Sequence, residues 1–526
     1  MIRTTDAMTI PAPSAARVAE AAPPAALETA ATLFAALNRE GIRYCHWKSN
    51  LRLARGLCGA TDLDVLVDPA DAERFRAHLD RLAVRRVLAP PGKRYASIED
   101  YLGFDAPSGQ LFHLHVHYRL VLGEQFVKNY SLPLESRFLD GARPRLDVMT
   151  PPAELELLVL CLRALLKYRD RDGVKDVFGI RSPGIPAHIM DELHWLAAHT
   201  TPEQVRTAAT ESLGTATADA IDDFLRLIRR APRDGRALLR LRGTVRTALR
   251  PYRRSGRLPA LGRYMAESVR RRNRLRFGPP RKMSLPGGGV SLALLGADGA
   301  GKTTVAADLT AWLGRMMEVR GHYQGSKQPS WASEQLYTGF RAFRRGHRSF
   351  SARFGAGNPV ARFLAGTRQL LLYGHYLSVG VDRYRRHRAG RRAASAGAVV
   401  LYDRFPLVAP LDGPAIRRSA GGATGLMAGL EEALYDRFQP PDLFLVLAVD
   451  PDISVRRKPD HSREAIEEKA CLLQRLTCDP ALGPVAERNV VIDAGRPLAC
   501  VLADARQAVW AALAEKQGAA PSSRAT

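Results

Sequence analysis

The sequence predicts an α/β protein whose C-terminal part is a doubly wound parallel sheet, preceded by a smaller α+β domain and a helical segment. Three observations lead there. The run Gly-Ala-Asp-Gly-Ala-Gly-Lys-Thr-Thr at 296–304 directly follows the apolar stretch Val290–Leu295. Beyond it, apolar strand-like runs keep alternating with segments long enough for crossover helices, the pattern of parallel α/β sheets. Near the other end, Thr61-Asp62-Leu63-Asp64-Val65-Leu66-Val67 sets two carboxylates at alternate positions of an apolar strand. The expected organisation is a disordered tail (1–27), an α+β domain (28–150), a helical segment (151–229), a basic Arg/Pro-rich connector (230–287), the parallel-sheet domain (288–516) and a second tail (517–526).

The loop at 296–304 has the spacing of a phosphate grip. Gly296, Gly299 and Gly301 allow backbone angles closed to other residues, so successive N–H groups can curl around an anion. Lys302 reaches toward the outer phosphates, Thr303 offers a hydroxyl to Mg²⁺, and Thr304 continues a helix whose N-terminal end favours negative charge. A chance match to this spacing is expected in roughly 1 such chain in 150. ATP and Mg²⁺ are therefore the expected cofactors.

Candidate strands continue at Glu318–Tyr323, Ala398–Tyr402, Leu443–Val449 and Val490–Ile492. With Val290–Leu295 they make five parallel strands, whose carboxyl ends are where ligands bind. Ala398–Tyr402 runs into Asp403-Arg404. The aspartate can serve the metal, while the arginine offers a fork of donors to a second phosphate, as an acceptor site requires. Arg456-Arg457-Lys458, with His461 and Arg463, follows Leu443–Val449 and suits a lid that neutralises a transferring phosphoryl group.

Composition bounds the rest. The make-up, 46% hydrophobic and 25% charged, is that of a globular chain. Six cysteines form no C-x-x-C pair and no zinc spacing, so reduced thiols and a cytoplasmic setting are expected. No run of 18 apolar residues occurs, and the Ala/Pro-rich start lacks a signal-peptide core, so neither a transmembrane segment nor a leader is expected. The net charge of +25 is uneven: Arg226–Lys282 holds twenty basic residues against Asp234 and Glu267, leaving +7 elsewhere. Within it, Arg236–Arg250 suggests a short basic helix. A connector is the favoured reading; contact with an anionic surface or nucleic acid through 230–282 is the alternative, and a homodimer is a further partner expectation.

In the N-terminal part, Asp62 and Asp64 fall on one strand face and can share metal ions that hold a triphosphate. Tyr44–Asn50 and Gly59 are candidates for a phosphate-holding turn, and Lys48 stands out in a chain with 67 Arg and 11 Lys. Further on, His113, His115 and His117 alternate along one strand; they are either a polar face or transition-metal ligands.

These motifs resemble a known family. The loop at 296–304, Leu-Tyr-Asp-Arg-Phe at 401–405, the Pro441–Pro451 strand, the Arg-Arg-Lys-Pro run at 456–459 and Val490–Leu498 keep the order seen in thymidylate kinase and its relatives, over roughly 288–515. The resemblance implies a P-loop fold of the nucleotide-kinase type. It also implies roles for Lys302 and Thr303 with ATP·Mg²⁺, for Asp298 and Asp403 at the metal or acceptor phosphate, for Arg404 and Arg368 at the acceptor, and for Arg456 from the lid. Gly321–Ser326 departs from the family's acceptor-binding segment. The acceptor is accordingly dTMP, another nucleotide, a sugar or a polysaccharide-pathway metabolite. Residues 28–150 resemble uncharacterised nucleotidyltransferase-fold proteins, with His115 standing about where their third carboxylate is expected. An ATP-driven switch or scaffold and a nucleic-acid-processing enzyme are the rival functions.

Overall fold

Strands buried on both faces read as continuous apolar runs, and five such runs form the sheet of the C-terminal part. The computed structural model describes residues 25–123, 127–168, 184–272, 282–325, 328–407, 411–419, 425–460 and 462–518. Most of the two expected tails, and His461, lie outside these. The chain divides between Pro279 and Pro280 into two compact units.

In the first unit, β1 (Tyr44–His46), β2 (Leu63–Val67), β3 (Arg85–Val87), β4 (Ile98–Asp105) and β5 (Gln110–His117) form a sheet in the order β1-β2-β5-β4-β3. Only β2 and β5 run parallel. Because strand side chains alternate, Leu63, Val65 and Val67 join Phe112, Leu114 and Val116 against the helices Glu28–Arg39 and Ala72–Arg81. Asp62, Asp64, His113, His115 and His117 take the opposite face. Two short antiparallel pairs follow: β6 (Leu120–Leu122) with β7 (Tyr130–Leu132), and β8 (Arg143–Arg145) with β9 (Val148–Thr150).

The apolar helix Ala153–Lys167 is buried nearly all round. It gathers Ala187–Ala197, Pro202–Leu213, Thr215–Arg230 and Gly235–Ala248 into one core with Trp47 and Leu66. That last helix lies inside the stretch expected as a connector. Its Leu238 and Val245, with Leu249 just beyond, are core residues, and buried Arg242 donates to the Tyr168 carbonyl at 2.8 Å. Beyond it Arg254 N–H bonds Asn129 O at 2.8 Å, so the basic run to Ser255 belongs to the first unit's packing.

In the second unit β10 (Ser291–Gly296), β11 (Val319–Tyr323), β12 (Val399–Asp403), β13 (Leu443–Ala448) and β14 (Asn489–Asp493) are all parallel, in the order β11-β12-β10-β13-β14. This is the expected doubly wound sheet, and each strand lies within one or two residues of its expected span. The order reverses at β10, between β12 and β13, which is where such sheets open a crevice at their carboxyl ends. Between β11 and β12 the long Arg-rich stretch holds two helices, Trp331–Phe354 and Pro359–Ser395. No described helix is long and apolar enough to cross a membrane.

Candidate functional site

The crevice beyond β10 is a cleft of about 750 Å³, lined by the loop Asp298–Thr304, Asp403-Arg404, Tyr323 and the cations Arg457, Lys458 and Arg496. Gly299 and Gly301 hold φ of 89° and 88°, the left-handed region that favours glycine. A β-carbon on Gly299 would sit 2.8 Å from Ser454 O, so the helix Pro451–Arg457 packs directly on the loop; on Gly301 it would meet nothing within 4 Å. The helix Lys302–Gly314 starts at Gly301 with no side-chain cap, leaving its first N–H groups for an anion. Lys302 is buried and donates to Gly296 O (2.9 Å) and Ala297 O (2.8 Å). Burial, reinforced by Arg404, pushes its ammonium down to about 8. Thr303 and Thr304 line the cleft mouth.

Around the loop runs a chain of alternating charges. Asp298 pairs with Lys469 and, at 3.2 Å, with Arg404. Arg404 also reaches Asp412 at 3.2 Å, which Arg383 holds at 2.9 Å. Burial alone would raise the Asp298 carboxyl, but Lys469, Lys302 and Arg404 outweigh it and hold it down at about 2. Asp403 goes the other way: burial raises it despite Arg404 and Lys302. Arg404 adopts φ 72°, a strained setting for a side chain of this size, fixed by the two carboxylates it bridges.

Not every expected residue reaches the cleft. Arg457, Lys458 and Arg496 line it, whereas Arg456, one position away on the same helix, is exposed outside the lining. Arg457 donates to Ala494 O at 3.2 Å. Arg463 pairs with Asp452 and Glu467 on the surface, and half-exposed Arg368 lies outside the lining. At the departing segment, Tyr323 O accepts from Arg386 at 2.7 Å and Gln324 N–H bonds Asp403 O at 2.9 Å. The Gln324 amide is fully buried with no hydrogen-bond partner among the described residues.

The first unit's constellation is arranged differently from expectation. The turn after β1 is already occupied: Ser49 N–H bonds Glu192 (3.1 Å), and Asn50 N–H bonds Glu156 (3.0 Å), so neither group is free for a phosphate. Lys48 pairs with Asp64. Asp62 turns to His113 Nδ1 at 2.9 Å, and His113 Nε2 meets Asp100 at 3.0 Å. Burial disfavours a charged His113, but Asp100 and Asp62 together raise it to about 9. Both of its ring nitrogens thus face carboxylates, Asp62 and Asp100, apart from the Asp64–His115–His117 group. Asp64 and Asp62, expected as a shared metal pair, have separate partners, Lys48 and His113; a further acid on this face is Asp100, which the β4–β5 register sets opposite His115. Gly59, at φ 76°, packs 3.1 Å (as a virtual β-carbon) from Leu111 O and serves the turn itself.

No family model matches this chain. It is 25% identical over 249 residues to the uncharacterized ATP-binding protein YghR of Escherichia coli (strain K12), covering 44% of this chain and 89% of that protein. It is 26% identical over 236 residues to the uncharacterized ATP-binding protein YghS of the same strain, covering 42% and 93%. Among solved structures, deoxyadenosine kinase from M. mycoides with bound dCTP matches at 14% identity and a TM-score of 0.25, covering 40% of this chain and 94% of that one. The fold assignment of the second unit rests on its own strand order and loop.

Sequence reasoning missed Lys469, Asp412 and Arg496. Lys469 carried a usable signal: like Lys48, it is one of 11 lysines where arginine is the rule.

Proposed function

We propose that the second unit is an ATP-dependent phosphotransferase of the thymidylate kinase type, moving the γ-phosphoryl group of ATP to a nucleoside monophosphate such as dTMP or to a related small acceptor. One observation carries this reading: a single cleft joins the phosphate loop to Asp403-Arg404 and to Arg457, Lys458 and Arg496. A site built only to bind ATP needs the loop; further cations in the same cleft suit a second anionic group and the charge of a phosphoryl in flight. The two ATP-binding relatives support the donor. The open space over Gly301 and the exposed Thr303 fit a triphosphate with Mg²⁺, which Thr303 and Asp403 would hold. When bound, that ion shields the phosphate charge.

The chain's own groups supply position and charge. Lys302, now held by two loop carbonyls, would exchange them for phosphate oxygens, and a nearby phosphate would restore its full charge. Arg404 would orient the acceptor from its fixed backbone setting. Transfer forms the bond from the acceptor oxygen to the γ-phosphorus and breaks the bond to the β–γ bridging oxygen, releasing ADP. For the first unit, the occupied turn and the Lys48–Asp64 pair favour a nucleotidyltransferase-like layout without two-magnesium transfer chemistry.

The test is an acceptor screen with γ-labelled ATP, from dTMP through other nucleotides to sugars. Label should appear in an acceptor product, and Lys302→Ala should lower the rate by about 10²-fold or more. Transfer that survives Lys302→Ala unchanged, or ATP binding with no product from any acceptor, overturns the assignment.

A further inference from the structure

Three donor atoms on the polar face of the first unit's sheet, opposite Leu63 and Val65, converge on one point. Parallel pairing of β2 with β5 sets Asp64 beside His115, and two residues on, His117 projects from the same face. Asp64 Oδ1 lies 3.0 Å from His115 Nδ1 and 3.9 Å from His117 Nε2, and the two ring nitrogens are 3.4 Å apart. An ion about 2.1 Å from each of three donors sets them roughly 3.0–3.5 Å apart at octahedral or tetrahedral angles. The triangle found here needs only a small closing movement to meet that.

We propose that Asp64, His115 and His117 form a binding site for a borderline divalent transition ion of the zinc, cobalt, manganese or iron(II) class, with Lys48 as its internal competitor. Two imidazoles with one carboxylate select such ions over Mg²⁺ and Ca²⁺, which prefer oxygen alone. The third histidine is excluded by its pairing with Asp62 and Asp100, so the set is not the histidine triplet that the sequence suggests. Asp100 stands 3.9 Å from His115 Nε2, the side from which a carboxylate orients a metal-bound imidazole. Asp64 and His117 are buried and His115 is half-buried, leaving the approach on the His115 side.

The ammonium of Lys48 sits on the same Asp64 oxygen that the ion would use. Lys128 and Lys167 add to the cationic surroundings, which oppose a bare ion. Entry of the ion therefore requires Lys48 to swing off Asp64. This site shares no residue with the second unit's cleft, so its fate is independent of the kinase reading.

Co²⁺ is the probe, titrated into the full-length protein without nucleotide and with Mg²⁺ in excess. The wild type should bind one equivalent with visible ligand-field absorption, and X-ray absorption at the cobalt edge should show imidazole scattering. His115→Ala and His117→Ala should each lose that equivalent while keeping the circular dichroism of the parent. Lys48→Met should bind Co²⁺ about tenfold more tightly, through loss of a competing cation near the ligand. The proposal fails if the cobalt signal persists in the double histidine variant, if the edge spectrum lacks imidazole, or if neither wild type nor Lys48→Met binds Co²⁺ at about 1 mM, a weak limit for a three-ligand site.

Discussion

Gly299 and Gly301 offer a paired test of the phosphate loop, because a single methyl group does different damage at each. Both hold φ near +89°, so alanine at either pays a left-handed backbone cost of about 1–2 kcal/mol. At Gly299 the methyl also lands 2.8 Å from Ser454 O and 3.2 Å from its Cα, where backbone and not a pliant side chain must yield. Overpacking of that kind adds about 1–3 kcal/mol. Gly299→Ala should therefore lose about 3 kcal/mol, and Gly301→Ala about 1 kcal/mol. At about 2–4 °C per kcal/mol, the melting transition should fall by roughly 6–12 °C in the first and 2–4 °C in the second. Scanning calorimetry gives this directly, taking the transition that ATP·Mg²⁺ raises as the one to follow. Binding should show the reverse order: the Gly301 methyl projects into open cleft, so its ATP affinity should drop by at least about tenfold, roughly 1.4 kcal/mol. Equal melting losses, or wild-type ATP affinity in Gly301→Ala, would refute the assignment of packing to one glycine and ligand space to the other.

Two further outcomes follow from the charge networks. His113 has its folded-state pKa raised from the ordinary histidine range to about 9, so its pairing stabilises the first unit fully below about pH 6.5 and is lost as pH rises through 9. Urea midpoints between pH 6 and 10 should fall over that interval, and His113→Gln should flatten this component of the profile. Lys469→Met removes the main partner that keeps Asp298 ionised and loosens the carboxylate that Arg404 also holds. We expect kcat/KM for phosphotransfer to fall about tenfold with ATP affinity nearly kept, as for a positioning residue; an equal loss of ATP affinity would place Lys469 on the donor side instead.

The second unit's sheet was readable because parallel strands buried on both faces are apolar throughout and leave little room for a register error. Asp403-Arg404 followed for the same reason: it closes the run of β12 and must emerge at the carboxyl edge. Lys469 and Asp412 come to the loop by tertiary packing, from a helix and a turn with no periodic mark of their role. The stretch around Gly235–Ala248 read as a connector because arginines hide a narrow apolar stripe. Its Leu238 and Val245 reach the core, and Arg242 is itself buried against a carbonyl. Asp100 was invisible as a partner of the histidines, since only the antiparallel β4–β5 register brings it across from His115.

The arginine at 456 and the segment 321–326 show where a resemblance stops being informative. A helix turns about 100° per residue, so moving from Arg456 to Arg457 changes which side chain meets the cleft, a difference no motif match at 456–459 can resolve. At 321–326 the sequence departs from the segment that the resemblance leads one to expect. Burying a hydrogen-bonding amide without a partner costs about 1–3 kcal/mol, and among the described residues the Gln324 amide has none, while its backbone N–H bonds Asp403 O. Gln324 is fully buried and off the cleft lining, so it does not face an acceptor as it stands, and the phosphate loop, which the proposed reading gives to the donor, carries no information about the acceptor either.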